Sequence, residues 1–305
     1  MTGSAHWATD VPLGPLTTYR VGGPARWFVT AERVEDLIDV AARREGRDVL
    51  VIGRGSNLLV SDAGFDGIAV RLGEGFDVVE RHGTSPSGAP LVRAGGAASL
   101  PVVARRTVAW GLTGFEWAVG VPGSIGGAVR MNAGGHGSDM AASLVRVRLV
   151  DLGSGEDVSV DAAQLDLSYR SSNLRADQVV LHADLQLATG DVRAGEAELS
   201  EIVRWRREHQ PGGQNAGSVF TNPPGDSAGR LIDAAGCGGL RIGTAEVSTK
   251  HANFIQSDVG GSADDVHALM VEVARRVAGV HGVHLHPETR LVGFGPFPDP
   301  DGRRS

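Results

Sequence analysis

The sequence predicts a water-soluble protein of mixed helices and strands that is divided into two or three domains. A chain of 305 residues is longer than one typical hydrophobic core requires. Its 41% hydrophobic and 21% charged residues are typical of soluble globular proteins. Strand and helix patterns alternate over the first 70 residues, and a long helical pattern returns in the C-terminal third.

The composition excludes several classes of protein. The first ten residues lack the basic stretch and apolar run of a signal peptide, and no segment reaches the ~18 apolar residues of a membrane span. Cys237 is the only cysteine, which excludes internal disulfides and cysteine-rich metal sites. A net charge of −7 argues against a nucleic-acid partner. We therefore expect a cytoplasmic protein with no membrane partner.

Nearly all the basic residues of this chain are arginine. Of 29 basic residues, Lys250 is the only lysine. Arginine and lysine are not interchangeable at a tight site, so the position of Lys250 indicates a compact ammonium with a specific role. Chance survival of one lysine is the alternative.

A glycine-rich stretch from Gly120 to Gly137 is the most informative segment. Glycine reaches positive φ without steric cost and lets the backbone lie against a ligand, and successive N–H groups in such a turn can bind anions. The stretch also contains Val121, Ile125, Val129 and Met131, which is unlike a flexible linker. We interpret it as a buried loop that holds the pyrophosphate of a dinucleotide, with a linker as the alternative.

A second glycine turn, Gly53-Arg-Gly-Ser-Asn57, follows a predicted buried strand at 48–53. It is not a Rossmann fingerprint, because Leu58 stands at the third glycine position and no helix follows. We interpret it as a phosphate-approaching turn of another fold.

The remaining elements follow from periodicity and capping signals. Thr30 is predicted to cap a helix that ends at Arg44, with Val34, Leu37, Ile38 and Ala41 as its apolar stripe. Strands are predicted at 68–72, 144–150, 157–160 and 179–187, the last with one buried face, and a domain boundary at 189–195. Helices are predicted from the Ser99 cap to Trp110, at 196–209 and around Leu231. A last helix is predicted at 264–280, capped by Ser262 with Asp265 at the capping-box position and ended by Gly282.

Eight ordered motifs resemble the UDP-N-acetylenolpyruvoylglucosamine reductase family. They are Thr18-Tyr-Arg-Val-Gly-Gly23, Gly53-Arg-Gly-Ser-Asn57, Gly120-Val-Pro-Gly-Ser-Ile-Gly-Gly127, Met131-Asn-Ala-Gly134, Ser168-Tyr-Arg-Ser171, Ala216-Gly-Ser-Val-Phe220, Ser248-Thr-Lys-His-Ala-Asn253 and His286-Pro-Glu288. They cover the chain from residue 18 to about 293. One glycine loop is weak support, whereas eight motifs in the same order are specific.

The resemblance implies an α+β fold. Residues 21–190 would form a two-lobed FAD-binding region of the vanillyl-alcohol-oxidase (PCMH) type, with lobes at about 21–72 and 73–190. Residues 1–20 would be an N-terminal segment, 196–296 a C-terminal α+β substrate-binding domain and 297–305 a polar tail.

The resemblance also implies the cofactors and the residues that hold FAD. FAD would be bound non-covalently, with NADPH as the co-substrate that reduces it, and the substrate would be an enolpyruvyl UDP-sugar. The implied FAD-binding residues are Gly53, Arg54, Gly55, Ser56, Asn57, Val121, Pro122, Gly123, Ser124, Gly126, Gly127, Asn132, Ala133 and Gly134. A monomer or weak oligomer is expected.

The family's reaction delivers a hydride to a vinyl carbon, and its catalytic residues would be Arg170, Ser218 and Glu288. Arg170 carries a planar fork suited to the substrate carboxylate. Ser218 would donate the proton, with help from a neighbouring cation or water. Glu288 can stabilise the developing charge only when it is protonated or hydrogen-bonded. The alternative roles are a surface ion pair for Arg170, a turn cap for Ser218 and a solvated turn residue for Glu288.

The implied substrate contacts are Tyr19, Arg207, Asn222 and Lys250, with the cations near the diphosphate. Two positions depart from the family pattern, since Thr221 replaces the usual lysine and His136 stands where tyrosine is common. Tyrosine occurs only at 19 and 169, so the chain is similar to the shorter subfamily that lacks a tyrosine-bearing flap.

Other readings stay open at this point. His281, His284 and His286 lie close together but lack a diagnostic metal spacing, and no metal is expected. A flavin oxidase with another substrate would be reduced by an alcohol rather than by NADPH. A nucleotide-sugar binding protein without flavin would be colourless.

Overall fold

The computed structural model describes residues 5–298. Its strands are β1 (His6–Pro12), β2 (Pro24–Ala31), β3 (Val49–Ile52), β4 (Leu58–Val60), β5 (Phe65–Leu72), β6 (Val79–Thr84), β7 (Pro90–Gly95), β8 (Leu112–Thr113), β9 (Gly134–Gly135), β10 (Ser138–Asp139), β11 (Leu144–Asp151), β12 (Glu156–Asp161), β13 (Gln178–Gln186), β14 (Ala188–Thr189), β15 (Arg241–Ile242), β16 (Ala245–Val247), β17 (Ile255–Ser257) and β18 (Arg290–Val292).

The α-helices are α1 (Val34–Arg43), α2 (Leu100–Ala109), α3 (Ile125–Met131), α4 (Val192–His209), α5 (Ala228–Ala234) and α6 (Ala263–His281). Across residues 5–298, none of them combines the length and the apolar character that a membrane crossing requires.

The first of two compact units comprises residues 5–9, 27–54 and 67–206. A four-stranded sheet has the order β1-β2-β5-β3, in which β3 and β5 are parallel. A five-stranded antiparallel sheet has the order β12-β11-β13-β7-β6. A large core covers one face of this second sheet with α2 and α3, and a smaller core lies between α1 and the strands around it.

The second unit comprises residues 10–26, 55–66 and 207–298. Its core packs the buried face of α6 against α5 and the β15-β16-β17 sheet. Strands β4 and β18 pair in parallel, with Leu58 opposite Arg290. This pairing joins two segments that lie more than 200 residues apart in sequence.

The first predicted helix begins later than expected. Thr30 does not cap it, because Thr30 lies within β2. The helix starts at Val34, where Asp36 accepts hydrogen bonds from the N–H groups of Glu32 and Arg33 at 2.9 and 3.2 Å. Val40, rather than the 39% exposed Ile38, completes the buried stripe with Leu37.

Three other expectations were wrong in detail. Helix α4 begins at Val192, inside the predicted boundary segment. Both faces of β13 contain buried residues, since Val180 and Asp184 are 5% and 7% exposed. Asp265 makes no capping box, because its carboxylate accepts from the N–H and hydroxyl of Thr244 instead.

The clearest local signals were confirmed. Ser262 Oγ accepts the Asp265 N–H at the start of α6, and Gly282 ends that helix with φ of 65°. The predicted strands at 68–72, 144–150 and 157–160 each fall within an observed strand, and the one at 179–187 extends one residue beyond β13. The turn at 53–57 is followed by β4 rather than by a helix, as predicted.

Candidate active site

The glycine stretch is an ordered part of the first unit. Its centre forms α3, a helix that the sequence did not predict, and the side chains of Ile125, Ala128 and Val129 are buried. Ser124 caps α3 by accepting the Gly127 N–H at 3.3 Å. The linker interpretation is therefore wrong, and the interpretation as a buried, shaped segment is confirmed.

Gly53 lies directly against this segment. A Cβ atom at residue 53 would lie 2.4 Å from the Oγ of Ser124, which is itself 2% exposed. Only glycine fits here without displacing the cap of α3. The two predicted cofactor segments thus meet at residues 53 and 124, and this close approach of bare backbone fits the flat surface that a dinucleotide needs.

The N–H groups at the start of α3 do not form an open anion nest. The Ile125 N–H donates to Ala98 O and the Gly126 N–H donates to Gly96 O, both at 2.9 Å. The Gly123 N–H donates to Val121 O. Glycine here provides close approach rather than a row of free donors, and the pyrophosphate contact of this loop stays a prediction.

The other end of the 53–57 turn belongs to the second unit. Gly55 has φ of 62°, and a Cβ there would lie 2.1 Å from Leu16 O. Asn57 donates from Nδ2 to Glu288 O at 3.0 Å, and its own carbonyl accepts the Arg290 N–H at 3.1 Å. Asn57 therefore holds a predicted catalytic segment in place.

Arg170 lies in a tight turn of the first unit. Ser168 and Ser171 exchange two backbone hydrogen bonds of 3.1 Å across Tyr169 and Arg170, and Arg170 has φ of 56°. Its Nε is buried, and its guanidinium carbon lies 5.5 Å from the centre of the Tyr169 ring. Asn132 donates to Ser168 O at 3.0 Å, which ties this turn to the end of α3.

Ser218 and Glu288 lie on neighbouring segments of the second unit. The Glu288 N–H donates to Val219 O at 2.8 Å, and Phe220 and Pro287 form an antiparallel bridge. Both residues are partly exposed. The structure therefore brings the predicted proton donor and the predicted carboxylate together, although they are 70 positions apart in the sequence.

Two predicted substrate residues also meet in the second unit. Lys250 Nζ donates to Arg207 O at 2.5 Å, and both side chains are exposed. Asn222 Oδ1 accepts the Ala228 N–H at 3.0 Å and so supports the start of α5. Thr221, at the family's lysine position, bonds through its N–H and hydroxyl to His286 O.

Tyr19 is placed differently from the other substrate candidates. It is fully buried in the core of the second unit, and burial raises the pKa of its hydroxyl. Within residues 5–298, the buried Oη has no hydrogen-bond partner. This placement does not favour direct contact with a substrate, and its role stays a prediction.

Asn253 is a buried residue of this site to which the sequence argument gave no role. It ends the Ser248–Asn253 motif, is 3% exposed, and bonds to both sides of Phe220. The motif itself was the available signal. Among residues 5–298 there is no cluster of three or more His, Cys, Asp or Glu side chains that could hold a metal ion.

Comparison with known proteins agrees with this geometry. Residues 25–161 match the model of an FAD-binding domain, and residues 209–292 match that of the C-terminal domain of UDP-N-acetylenolpyruvoylglucosamine reductase. The reductase of that name from Gloeobacter violaceus is 42% identical over 293 residues, which cover 93% of this chain and 96% of the relative. The chain belongs to the UDP-N-acetylenolpyruvoylglucosamine reductase family.

Two further members support the assignment to this family. The reductase from Rubrobacter xylanophilus is 40% identical over 93% of this chain and 94% of its own. The crystal structure of the reductase from Thermus caldophilus superimposes with a TM-score of 0.80 at 33% identity, covering 94% of this chain and 98% of that one. The predicted family, its α+β fold with an FAD-binding region and C-terminal domain, and its flavin-dependent oxidoreductase class are thereby confirmed.

Proposed function

We propose that this chain reduces UDP-N-acetylglucosamine enolpyruvate to UDP-N-acetylmuramate with NADPH, a step of peptidoglycan synthesis. The observation that supports this proposal is the 2.8 Å hydrogen bond from the Glu288 N–H to the carbonyl of Val219, the residue that follows Ser218. The family relationship and the FAD-binding domain support the reaction class.

Bound FAD, once reduced by NADPH, supplies the hydride that the vinyl carbon of the substrate accepts. Negative charge then develops on the adjacent carbon and its carboxylate. Arg170 binds that carboxylate through its planar fork, and Ser218 delivers a proton to the carbon. One hydride and one proton are added, so the double bond is reduced without loss of any group.

Glu288 has to act without repelling the developing charge. The Glu288 side chain is half-buried beside the Ser218 segment, and its backbone is held on two sides by Val219 and Asn57. In this position it supports the proton transfer when it is protonated or hydrogen-bonded. Arg170 and Glu288 are thus proposed as charge-stabilising residues and Ser218 as the acid.

Binding of the nucleotide part is assigned to Lys250, Arg207 and Asn222. Lys250 and Arg207 are both exposed cations, and the ammonium of Lys250 bonds to the main-chain carbonyl of Arg207 at 2.5 Å, so both can contribute positive charge for a diphosphate. Asn222 has an exposed side chain two residues beyond Phe220. The FAD contacts proposed at 53–57, 121–124, 126–127 and 132–134 rest on the family motifs and on the approach of Gly53 to Ser124.

The predicted bounds of 21–190 and 196–296 are kept as the proposed cofactor and substrate domains, with a cytoplasmic monomer or weak oligomer as the working form. Sedimentation velocity over a hundredfold concentration range tests the last point. A concentration-independent dimer would contradict it.

An anaerobic titration tests the reaction. NADPH should bleach the flavin absorbance, and the enolpyruvyl UDP-sugar should restore it. Ser218→Ala should bleach normally but recover about 10²–10⁴-fold more slowly, as expected for loss of a proton donor. Ser200→Ala, on the exposed surface of α4, is the control. Normal recovery in Ser218→Ala would refute the assignment of Ser218, and reduction by an alcohol alone would favour an oxidase.

A further inference from the structure

The Asn253 side chain bonds to both main-chain groups of Phe220, two residues after Ser218. Its Oδ1 accepts the Phe220 N–H at 3.0 Å, and its Nδ2 donates to Phe220 O at 2.8 Å. Its carbonyl also accepts the Val219 N–H at 2.9 Å. The amide thus reproduces the paired bonds of a neighbouring strand, and at 3% exposure solvent cannot replace them.

Asn132 uses its amide in the same way near Arg170. Its Nδ2 donates to Ser168 O at 3.0 Å and to Asp139 Oδ2 at 3.1 Å, and its Oδ1 accepts the Ala141 N–H at 2.9 Å. Both donors are engaged within the protein, and the residue is 3% exposed. Its φ of 38° also suits asparagine better than most residues.

Asn57 completes the pattern at Glu288. Its Nδ2 donates to Glu288 O at 3.0 Å, across 231 positions of sequence. An asparagine amide therefore bonds to the main chain at or near each of the three proposed catalytic residues. The bonded residue is Glu288 itself in one case, and it lies two positions from Arg170 or from Ser218 in the other two. Asparagine suits this task, because one short side chain carries both a donor and an acceptor.

We propose that Asn57, Asn132 and Asn253 are positioning residues that fix the main chain at Glu288, Arg170 and Ser218 respectively. The inference rests on the proposed function, since it assigns the asparagines to the second half of that reaction. This task of Asn57 and Asn132 adds to the FAD contacts proposed for their segments. A displacement of about 1 Å at a reacting group can lower a rate by about 10²-fold.

The test separates the two half-reactions in Asn253→Ala. Reduction of the bound flavin by NADPH and the FAD content should stay at the level of the unaltered protein, because neither needs Ser218. Reoxidation by the enolpyruvyl UDP-sugar should slow by about 10–100-fold. Gln256→Ala is the matched control, since Gln256 Nε2 makes the same kind of bond to Gly212 O at a more exposed site.

A second readout does not depend on turnover. Hydrogen exchange of the Phe220 N–H, measured in the FAD-free protein, should accelerate in Asn253→Ala and stay unchanged in Gln256→Ala. Unchanged exchange at Phe220 would overturn the inference, as would equal slowing of both half-reactions. Normal reoxidation in Asn253→Ala would also overturn it when Ser218→Ala is slow. Normal reoxidation in Ser218→Ala would instead refute the assignment of Ser218, and a failure of the enolpyruvyl UDP-sugar to reoxidise the unaltered protein would refute the proposed function.

Discussion

The approach of Gly53 to Ser124 predicts a strong coupling between two substitutions. In Gly53→Ala the new methyl would lie 2.4 Å from Ser124 Oγ, so that oxygen has to leave its position as the cap of α3. Losing a serine cap costs about 1 kcal/mol of unfolding free energy. Against this, alanine restricts the unfolded chain and contributes about 0.4–1 kcal/mol. Gly53→Ala alone should therefore be neutral to about 0.6 kcal/mol destabilising.

The double variant should behave differently from the sum of its parts. Ser124→Ala alone removes the cap, again at about 1 kcal/mol. Once Oγ is gone, the nearest atom to the new methyl is the Cβ of residue 124 at 3.5 Å, which is ordinary contact. Gly53→Ala should then stabilise that background by about 0.4–1 kcal/mol, which gives a coupling of about 1 kcal/mol.

Urea unfolding of the FAD-free proteins measures the four corners of this cycle, and Gly135→Ala is a control because a Cβ there meets nothing within 4 Å. Additive effects within about 0.3 kcal/mol would show that residues 53 and 124 are not in contact. FAD affinity gives an independent result. It should be low in Gly53→Ala and in the double variant, because both carry the methyl in the segment that the cofactor is proposed to approach.

Two further predictions concern charge. Lys250→Met should raise the KM for the UDP-sugar by about 10–100-fold and leave the flavin content unchanged, because it removes one charge-assisted hydrogen bond. Steady-state kinetics measures the KM, with Thr249→Met as the control. An effect no larger than that of Thr249→Met would contradict the prediction. Hydrogen bonds from Arg275 and Arg276 lower the pKa of Glu272 to about 2, so its contribution to stability is present above pH 4.5 and is lost as the pH falls from 4.5 to 2. Glu272→Gln should flatten the pH dependence of the unfolding free energy between pH 4.5 and 2. Urea unfolding at several pH values measures this dependence. The same dependence in Glu272→Gln and in the unaltered protein would refute the lowered pKa of Glu272.

Local signals predicted those elements that depend on local structure. Helix α6 has its cap and its terminal glycine within one continuous segment, and both were confirmed. The helix at α1 was misplaced because Thr30 is a good cap in isolation, whereas pairing within the sheet places it in β2. Helix α3 was missed because its glycines lower helix propensity, while burial against the core of the first unit stabilises it.

The site was predictable as a set of motifs but not as a set of contacts. The family resemblance supplied Arg170, Ser218 and Glu288, and the structure places two of them on adjacent segments. The asparagine bonds could not be predicted, because they join positions 33, 36 and 231 residues apart. Sequence motifs show which residues are present, whereas these bonds depend on how distant segments pack.

The turn that carries Arg170 shows why such a bond is needed. A non-glycine residue with φ of 56° costs about 1 kcal/mol or more, and a two-residue turn offers little burial to offset it. Two backbone bonds between Ser168 and Ser171 and one from Asn132 contribute roughly 0.5–1.5 kcal/mol each. The two backbone bonds alone exceed the cost of the positive φ by a small free energy. The Asn132 bond increases this excess and also fixes the turn to α3. The main chain that carries Arg170 is thus fixed by bonds that do not involve its guanidinium.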